Sequence, residues 1–331
     1  MTLSVFIPTY NRPALLRRAI QSCLDQTTLP EEIIVVDNGT NPQTRAVVES
    51  FSGTPLVIRY LTSPLFNFRA ALSTGISNLK SDWAINLDDD DFLLPWRIEN
   101  DLKLLQTIPN DVILVAHHFA RVDYKNEVVW VHELDQEKIN LFHVLAFEGL
   151  GPPASTTIRT NLLKAHHPFD LGEGNSDYDL YCSILPHGKS MMADSYGYIM
   201  DDTRTGLRRT DGNTGPVDRF KLQMERYKHL LPIADPPDGE RLRSKQERLM
   251  TFFVGKHLFN KAAKNYFSMI VRHPIMFLMG MVSHLRPYMS FLPLRLTPKI
   301  HGARQISFEQ FSRNYPELMT IVEKYRLTSN G

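Results

Sequence analysis

Apolar residues follow two rhythms along the first hundred positions. Short apolar runs, Leu3–Ile7, Ile33–Val36, Leu56–Leu61 and Trp83–Leu87, read as strands of a covered sheet. Between them, Leu15, Leu16, Ala19, Ile20, Cys23 and Leu24 recur at helical spacing, and residues 42–51 and 69–79 also read as helices. Pro8 closes the first strand, Asn11 is placed to cap the helix that follows, and Pro13 suits that helix's first turn. Strand and helix alternate at the spacing of βαβ units. The pattern predicts an α/β fold: a doubly wound, mostly parallel sheet with helices on both faces. Ligands bind such sheets at the carboxyl ends of the strands. The segment Pro8-Thr9-Tyr10-Asn11-Arg12, Asp37 and Asp88 all fall at those ends.

Further along, Ile113–His117, Glu127–Val131 and Tyr196–Met200 read as strands, and residues 136–147, 159–166 and 176–186 as helices. A polar loop over residues 201–216 closes a first domain of residues 1–216. Residues 217–331 then form a basic, mainly helical C-terminal region.

Composition changes this picture in one respect. A hydrophobic content of 43% and a charged content of 22% over 331 residues are those of an ordinary globular chain. The net charge of +1 hides an asymmetry: Arg241 to Arg304 holds 12 Lys and Arg against the single acid Glu247. Phe, Met and Ile clusters interleave those charges. The apolar stretch Pro274–Val282 is far shorter than the roughly 20 residues of a spanning helix. The region 241–304 therefore reads either as a surface that lies on an anionic membrane or as a helical bundle with solvated charges. No nucleic-acid motif accompanies it. Two cysteines, Cys23 and Cys182, make no disulfide framework, and Cys23 falls on an apolar helix face. A strand at the very start, without a basic leader, points to a cytoplasmic protein, peripheral on the inner face of the cell membrane if the basic region binds lipid.

The candidate chemistry starts at Asp88-Asp89-Asp90-Asp91, four carboxylates at the tip of a buried strand. Such a cluster needs a compensating cation, an arginine or open solvent. Hard oxygen ligands at this density suit Mn²⁺ or Mg²⁺, ions that bridge carboxylates to a nucleotide diphosphate. The chain ahead of the first helix, Thr9 to Arg12, offers donors beside a helix N-terminus that favours phosphate.

Four segments resemble family 2 glycosyltransferases, in the family's order and over roughly the first 200 residues: Ser4–Arg12, Glu32–Thr40, Leu87–Asp91 with Pro95, and Glu173–Leu180. The resemblance implies a GT-A fold, a nucleotide-sugar donor and inversion at the anomeric centre. It implies that Pro8, Thr9, Tyr10, Asn11, Arg12, Asp37, Arg69, Asp88 and Asp89 surround the nucleotide sugar. Asp37 would accept a hydrogen bond from the nucleobase, or else only cap a turn. Asp90 and Asp88 would hold the metal. Asp177 would be the catalytic base, with Asp179 as rival, since residues two apart on a helix point about 200° from each other.

The chain departs from the family's pattern at Arg69-Ala70-Ala71-Leu72-Ser73-Thr74-Gly75, where the arginine is displaced. Ser176 stands where the family often has Glu, and no His accompanies Arg204, Arg208 and Arg209. The expectation is an inverting glycosyltransferase that moves a sugar from a UDP- or dTDP-sugar to a hydroxyl of a glycan or lipid-linked acceptor, in polysaccharide or cell-envelope synthesis. A polyprenyl-phosphate sugar transferase and a non-catalytic sugar-nucleotide-binding protein are the alternatives. A nucleotidyltransferase lacks support, because no glycine-rich phosphate loop opens the chain.

Overall fold

The apolar runs of the sequence become the centre of a mixed sheet. The computed structural model describes residues 1–65, 67–136, 139, 150–166, 176–202, 240 and 303–327, and of residues 176, 178, 179 and 182 the backbone alone. β1 (Leu3–Thr9), β2 (Glu32–Asp37), β3 (Val57–Thr62) and β4 (Trp83–Asn86) are parallel in the order β3-β2-β1-β4. Every residue of β1, β2 and β4 is buried, as strands covered on both faces require. β1 runs through Pro8 to Thr9; its pairing with β4 stops at Phe6, so Pro8 interrupts no bond on that side.

Alternation along β1 shows the two faces. Leu3, Val5 and Ile7 pack with Leu16, Ala19, Ile20 and Cys23 of α1 (Pro13–Leu24). Phe6 points the other way, against α3 (Phe68–Asn78), where a Cβ on Gly75 would stand 2.7 Å from the Phe6 ring. α2 (Pro42–Glu49) is capped by Asn41, whose side chain accepts from the Gln43 N–H at 3.0 Å.

Beyond β4 the strand directions change. The remaining strands are β5 (Phe92–Leu93), β6 (Val112–Asp123), β7 (Val128–His132), β8 (Thr156–Arg159), β9 (Lys189–Asp201) and β10 (Arg304–Ser307). β8 lies antiparallel between β4 and β6, β7 is antiparallel to β6, and β10 is antiparallel to β7. β9 runs parallel to β6 and antiparallel to β5. The helices here are α4 (Arg97–Leu105), α5 (Thr160–His166), α6 (Ser176–Ile184), α7 (Phe308–Asn314) and α8 (Pro316–Lys324). The helix expected over 136–147 lies outside the described residues apart from 136 and 139. So do residues 203–216 and, but for residues 303–304, the basic region 241–304.

The chain divides into two compact units, Met1–Gly206 with His301–Gly331, and Leu207–Ile300. A first domain of residues 1–216 followed by a C-terminal region of 217–331 is thus not the division found. β10, α7 and α8 belong with the N-terminal sheet: Phe311, Leu318, Val322 and Tyr325 share a core with Phe92, Leu94, Val122 and Ile199. Ser307 caps α7 reciprocally with Gln310.

A polar knot lies buried inside the first unit. Arg97 donates to Asp101 Oδ2 at 2.8 Å, to the Ala154 carbonyl at 2.8 Å and to Thr157 Oγ1 at 2.8 Å. His117 Nε2 stands 2.6 Å from Asp101 Oδ1. Burial alone would raise the Asp101 carboxyl, but Arg97 and His117 overcome that and hold it well below the ordinary range. Burial and the nearby Arg97 charge push His117 down, against the pull of Asp101.

Candidate active site

Three loops meet at the carboxyl ends of β1, β2 and β4. Asn11 has a positive φ of 54°, a conformation asparagine tolerates. Its side chain therefore does not cap α1. It accepts instead from the N–H groups of Thr40 and Asn41, at 3.0 and 2.9 Å, and so ties the β1 loop to the β2 loop. Gly39 is required beside it, because a Cβ there would collide with the Asn11 amide. Arg12 is the N-cap residue of α1 and makes no side-chain cap. Tyr10 is 50% exposed, an aromatic face held at the rim.

Asp37 ends β2 and is buried. Its Oδ1 accepts from the Gly39 N–H at 2.7 Å and its Oδ2 from the Tyr60 hydroxyl at 2.7 Å. The turn-capping role is thus filled, and each oxygen keeps a second lone pair. Arg69 lies in the first turn of α3, which Asn67 caps at the Ala70 N–H at 2.8 Å.

The four aspartates do different things. Asp89 is buried. Its Oδ2 accepts from Thr9 Oγ1 at 2.6 Å, and its Oδ1 forms an ion pair with Arg12 Nη2 at 2.5 Å without hydrogen-bond alignment. Burial raises Asp89 to about 7, against the pull of Arg12. Asp91 is also buried; its Oδ2 accepts from the Tyr198 hydroxyl at 2.6 Å and its Oδ1 from the Asp201 N–H at 2.9 Å. Burial, then Asp90 and Asp88, push Asp91 well above the carboxylate range. Asp90 is half-buried and accepts from Arg12 Nη1 at 2.7 Å.

Asp88, Asp90 and Asp91 each present a carboxylate oxygen, and these oxygens lie within 4.8 Å of one another. Asp88 is raised well above its ordinary value by burial, then by Asp90, Asp177 and Asp89, with Arg12 opposing. Asp177, half-buried in the first turn of α6, therefore acts on Asp88 through space although 89 positions separate them in sequence. Converging hard oxygen donors with a surplus of negative charge fit Mn²⁺ or Mg²⁺, ions that bind through carboxylates and keep several waters. Asp91 joins this set although the sequence pattern favours Asp88 and Asp90. The Asp179 side chain, Glu173, Arg204, Arg208 and Arg209 lie outside the described residues.

Sequence reasoning passes over Arg18, Tyr198 and Asp201, which support the acidic loop. One signal was present: Arg18 follows Leu15 by three positions, so it falls on the apolar face of α1, where a charged residue needs a partner.

Residues 4–159 match the family described as Glycosyl transferase family 2. Residues 4–159 are thus a family 2 glycosyltransferase domain. An uncharacterized glycosyltransferase of Haemophilus influenzae is 34% identical over 187 residues, which cover 55% of this chain and 62% of that protein. The chain spans less than two thirds of the length of such curated relatives. Among solved structures, S. aureus TarS 1–349 in complex with UDP-GlcNAc has a TM-score of 0.58 at 14% identity, covering 86% of this chain and 81% of that one. The mannosyltransferase PcManGT from Pyrobaculum calidifontis, in complex with GDP-Man and Mn²⁺, has a TM-score of 0.52 at 14% identity, covering 87% and 82%. Both share the fold of this family 2 domain, a GT-A sheet with helices on both faces.

Proposed function

We propose that the protein is an inverting, metal-dependent glycosyltransferase that moves a sugar from a UDP- or dTDP-sugar to a hydroxyl of a glycan or lipid-linked glycan. The observation that carries this reading is the convergence of Asp88, Asp90 and Asp91 at the end of β4, inside the family 2 match, with Asp177 beyond that match acting on Asp88. The UDP-GlcNAc bound by TarS and the Mn²⁺ bound by the mannosyltransferase support the donor class and the ion.

Asp37 orients the nucleobase through its remaining lone pairs, and the exposed Tyr10 ring stacks against that base. In this reading the α1 N-terminus and Arg69, in the first turn of α3, bind the diphosphate. Pro8 and Thr9 hold the floor of the site, Thr9 by its bond to Asp89. Mn²⁺ or Mg²⁺ held by Asp88, Asp90 and Asp91 would neutralise charge on the departing diphosphate. Asp177 takes the proton of the acceptor hydroxyl as that oxygen bonds to the anomeric carbon and the bond from that carbon to the phosphate oxygen breaks. The proton ends on Asp177 and the electron pair on the nucleoside diphosphate.

The basic region 241–304 brings the enzyme to anionic lipid, where a lipid-linked acceptor resides. Among the described residues no helix is long and apolar enough to cross a membrane. Thermal unfolding against a panel of nucleotide sugars, with and without Mn²⁺, tests the reading. A bound donor stabilises by about 2.7 kcal/mol at 100-fold over its dissociation constant. Stabilisation by one UDP- or dTDP-sugar only in the presence of Mn²⁺ is the expected result. A panel without effect overturns the reading.

A further inference from the structure

Arg18 lies in the second turn of α1 and is 4% exposed. A buried guanidinium is costly unless its donors are used. Here the two Nη groups reach three separate parts of the chain, while Nε is buried without a hydrogen-bond partner among the described residues. Nη1 donates to Asp201 Oδ2 at 2.7 Å, at the end of β9, and stands 3.4 Å from the Tyr325 carbonyl that follows α8. Nη2 donates to the main-chain carbonyl of Asp90. The guanidinium also sits 5.4 Å from the centre of the Phe92 ring.

These bonds close a ring around the acidic loop. Arg18 holds Asp90 by its backbone, leaving the Asp90 carboxylate to point elsewhere. The same guanidinium holds the Asp201 carboxylate, and the Asp201 N–H holds Asp91 Oδ1 at 2.9 Å. Tyr198 completes the ring at Asp91 Oδ2. One arginine that contributes no atom to the cluster thus holds the backbone of Asp90 and, through Asp201, the carboxylate of Asp91. Groups behind metal ligands set ligand orientation and typically change metal affinity by about 10–100-fold.

We propose that Arg18 is a positioning residue for a divalent-cation site: by fixing the Asp90 carbonyl and, through Asp201, the Asp91 carboxylate, it keeps Asp88, Asp90 and Asp91 converged. This inference rests on the reading of that cluster as the cation site of a nucleotide-sugar enzyme. Lysine cannot replace Arg18 fully, because one ammonium cannot span both acceptors with the planar fork of a guanidinium.

The test is Mn²⁺ binding to the full chain, followed by electron paramagnetic resonance of free Mn²⁺ with and without UDP. Arg18→Met, Arg18→Lys, Asp201→Asn and Tyr325→Phe are compared at a temperature where each shows wild-type circular dichroism. Tyr325→Phe removes the hydroxyl bond to Asp25 and keeps the carbonyl and ring, so it reports loss of support for α1 alone. Arg18→Met weakens Mn²⁺ binding about tenfold or more, Arg18→Lys recovers part of the loss, and Asp201→Asn weakens it about tenfold. Tyr325→Phe binds Mn²⁺ as the wild type does, with a lower unfolding midpoint. Wild-type Mn²⁺ affinity in folded Arg18→Met overturns the inference. Should that variant not fold, wild-type affinity in both Arg18→Lys and Asp201→Asn overturns it equally. A wild-type chain that binds neither Mn²⁺ nor UDP refutes the cation-site reading itself, an outcome distinct from failure of the Arg18 inference.

Discussion

Arg12 and Asp90 stand 78 positions apart, and Arg12 Nη1 donates to Asp90 Oδ2 at 2.7 Å. The same guanidinium pairs with Asp89. Arg12 thus supplies the positive charge that the four aspartates need, and it supplies it at a carboxylate assigned to the metal. On that proposed assignment, cation and arginine compete for Asp90. In Arg12→Met the repulsion is unrelieved until an ion binds. Mn²⁺ alone is therefore expected to raise the unfolding midpoint of Arg12→Met by more than that of the wild type. Equal shifts would show that Arg12 and the ion do not share Asp90.

The two halves of the proposed chemistry separate by mutation. Asp90→Asn removes one anionic ligand, so turnover is lost and UDP binding no longer responds to Mn²⁺. Asp177→Asn leaves donor binding close to wild type and lowers kcat by about 10²–10⁴-fold, the usual cost of losing a general base. Full activity in Asp177→Asn with a crippled Asp179→Asn would transfer the role to Asp179.

Much of this was legible in the chain. The runs through Val5, Val35 and Ile85 give strands because apolar residues fall on both faces, and such runs need no distant information. The acidic loop is equally local. What the sequence hides is non-local. β10, α7 and α8 rejoin the sheet after an interval of more than 90 residues, and no periodicity encodes where a strand such as Arg304–Ser307 will pair. Asn11 suits a helix cap by type, yet its positive φ sends the amide to Thr40 and Asn41. The separate tasks of Asp89 and Asp91 depend on Thr9, Tyr198 and Asp201, which lie in other elements.

The buried knot of Arg97, Asp101 and His117 gives a pH signature. The Asp101 carboxyl is held below its unfolded value of about 3.9, so its stabilisation is present above that pH and is lost as pH falls through the folded value. His117 is held below its unfolded value of about 6.5, so the unfolded chain gains protons first and stability falls below that pH. Asp101→Asn is expected to cost about 3–5 kcal/mol at pH 7, because it leaves Arg97 buried without its counter-charge. That cost shrinks below about pH 4, where the unfolded wild type takes up a proton. Against His117→Gln, the wild type loses ground as pH drops below about 6.5. Denaturant titrations between pH 3 and pH 8 check both; parallel curves would exclude the knot as the source.

The basic region needs a test that respects the fold. Truncation before β10 removes Phe311, Val322 and Tyr325 from the core shared with Phe92. Losing one such ring, as in Phe311→Ala, costs about 3–5 kcal/mol, so a chain ending at 300 is expected to be insoluble whatever 241–304 binds. The full chain is the proper probe. It is expected to sediment with anionic liposomes at low salt and to be released by salt, since each engaged Lys or Arg contributes about 1 kcal/mol. A full chain that stays in solution at low salt would leave the bundle reading of that region.

Release of nucleoside diphosphate from a panel of nucleotide sugars tests the central claim most directly, because donor cleavage to water needs no knowledge of the acceptor. The full chain with Mn²⁺ is predicted to cleave a UDP- or dTDP-sugar, and cleavage is predicted to stop with a chelator and in Asp90→Asn. Cleavage that persists undiminished in Asp90→Asn, or a panel in which no nucleotide sugar is either bound or cleaved, would contradict the assignment.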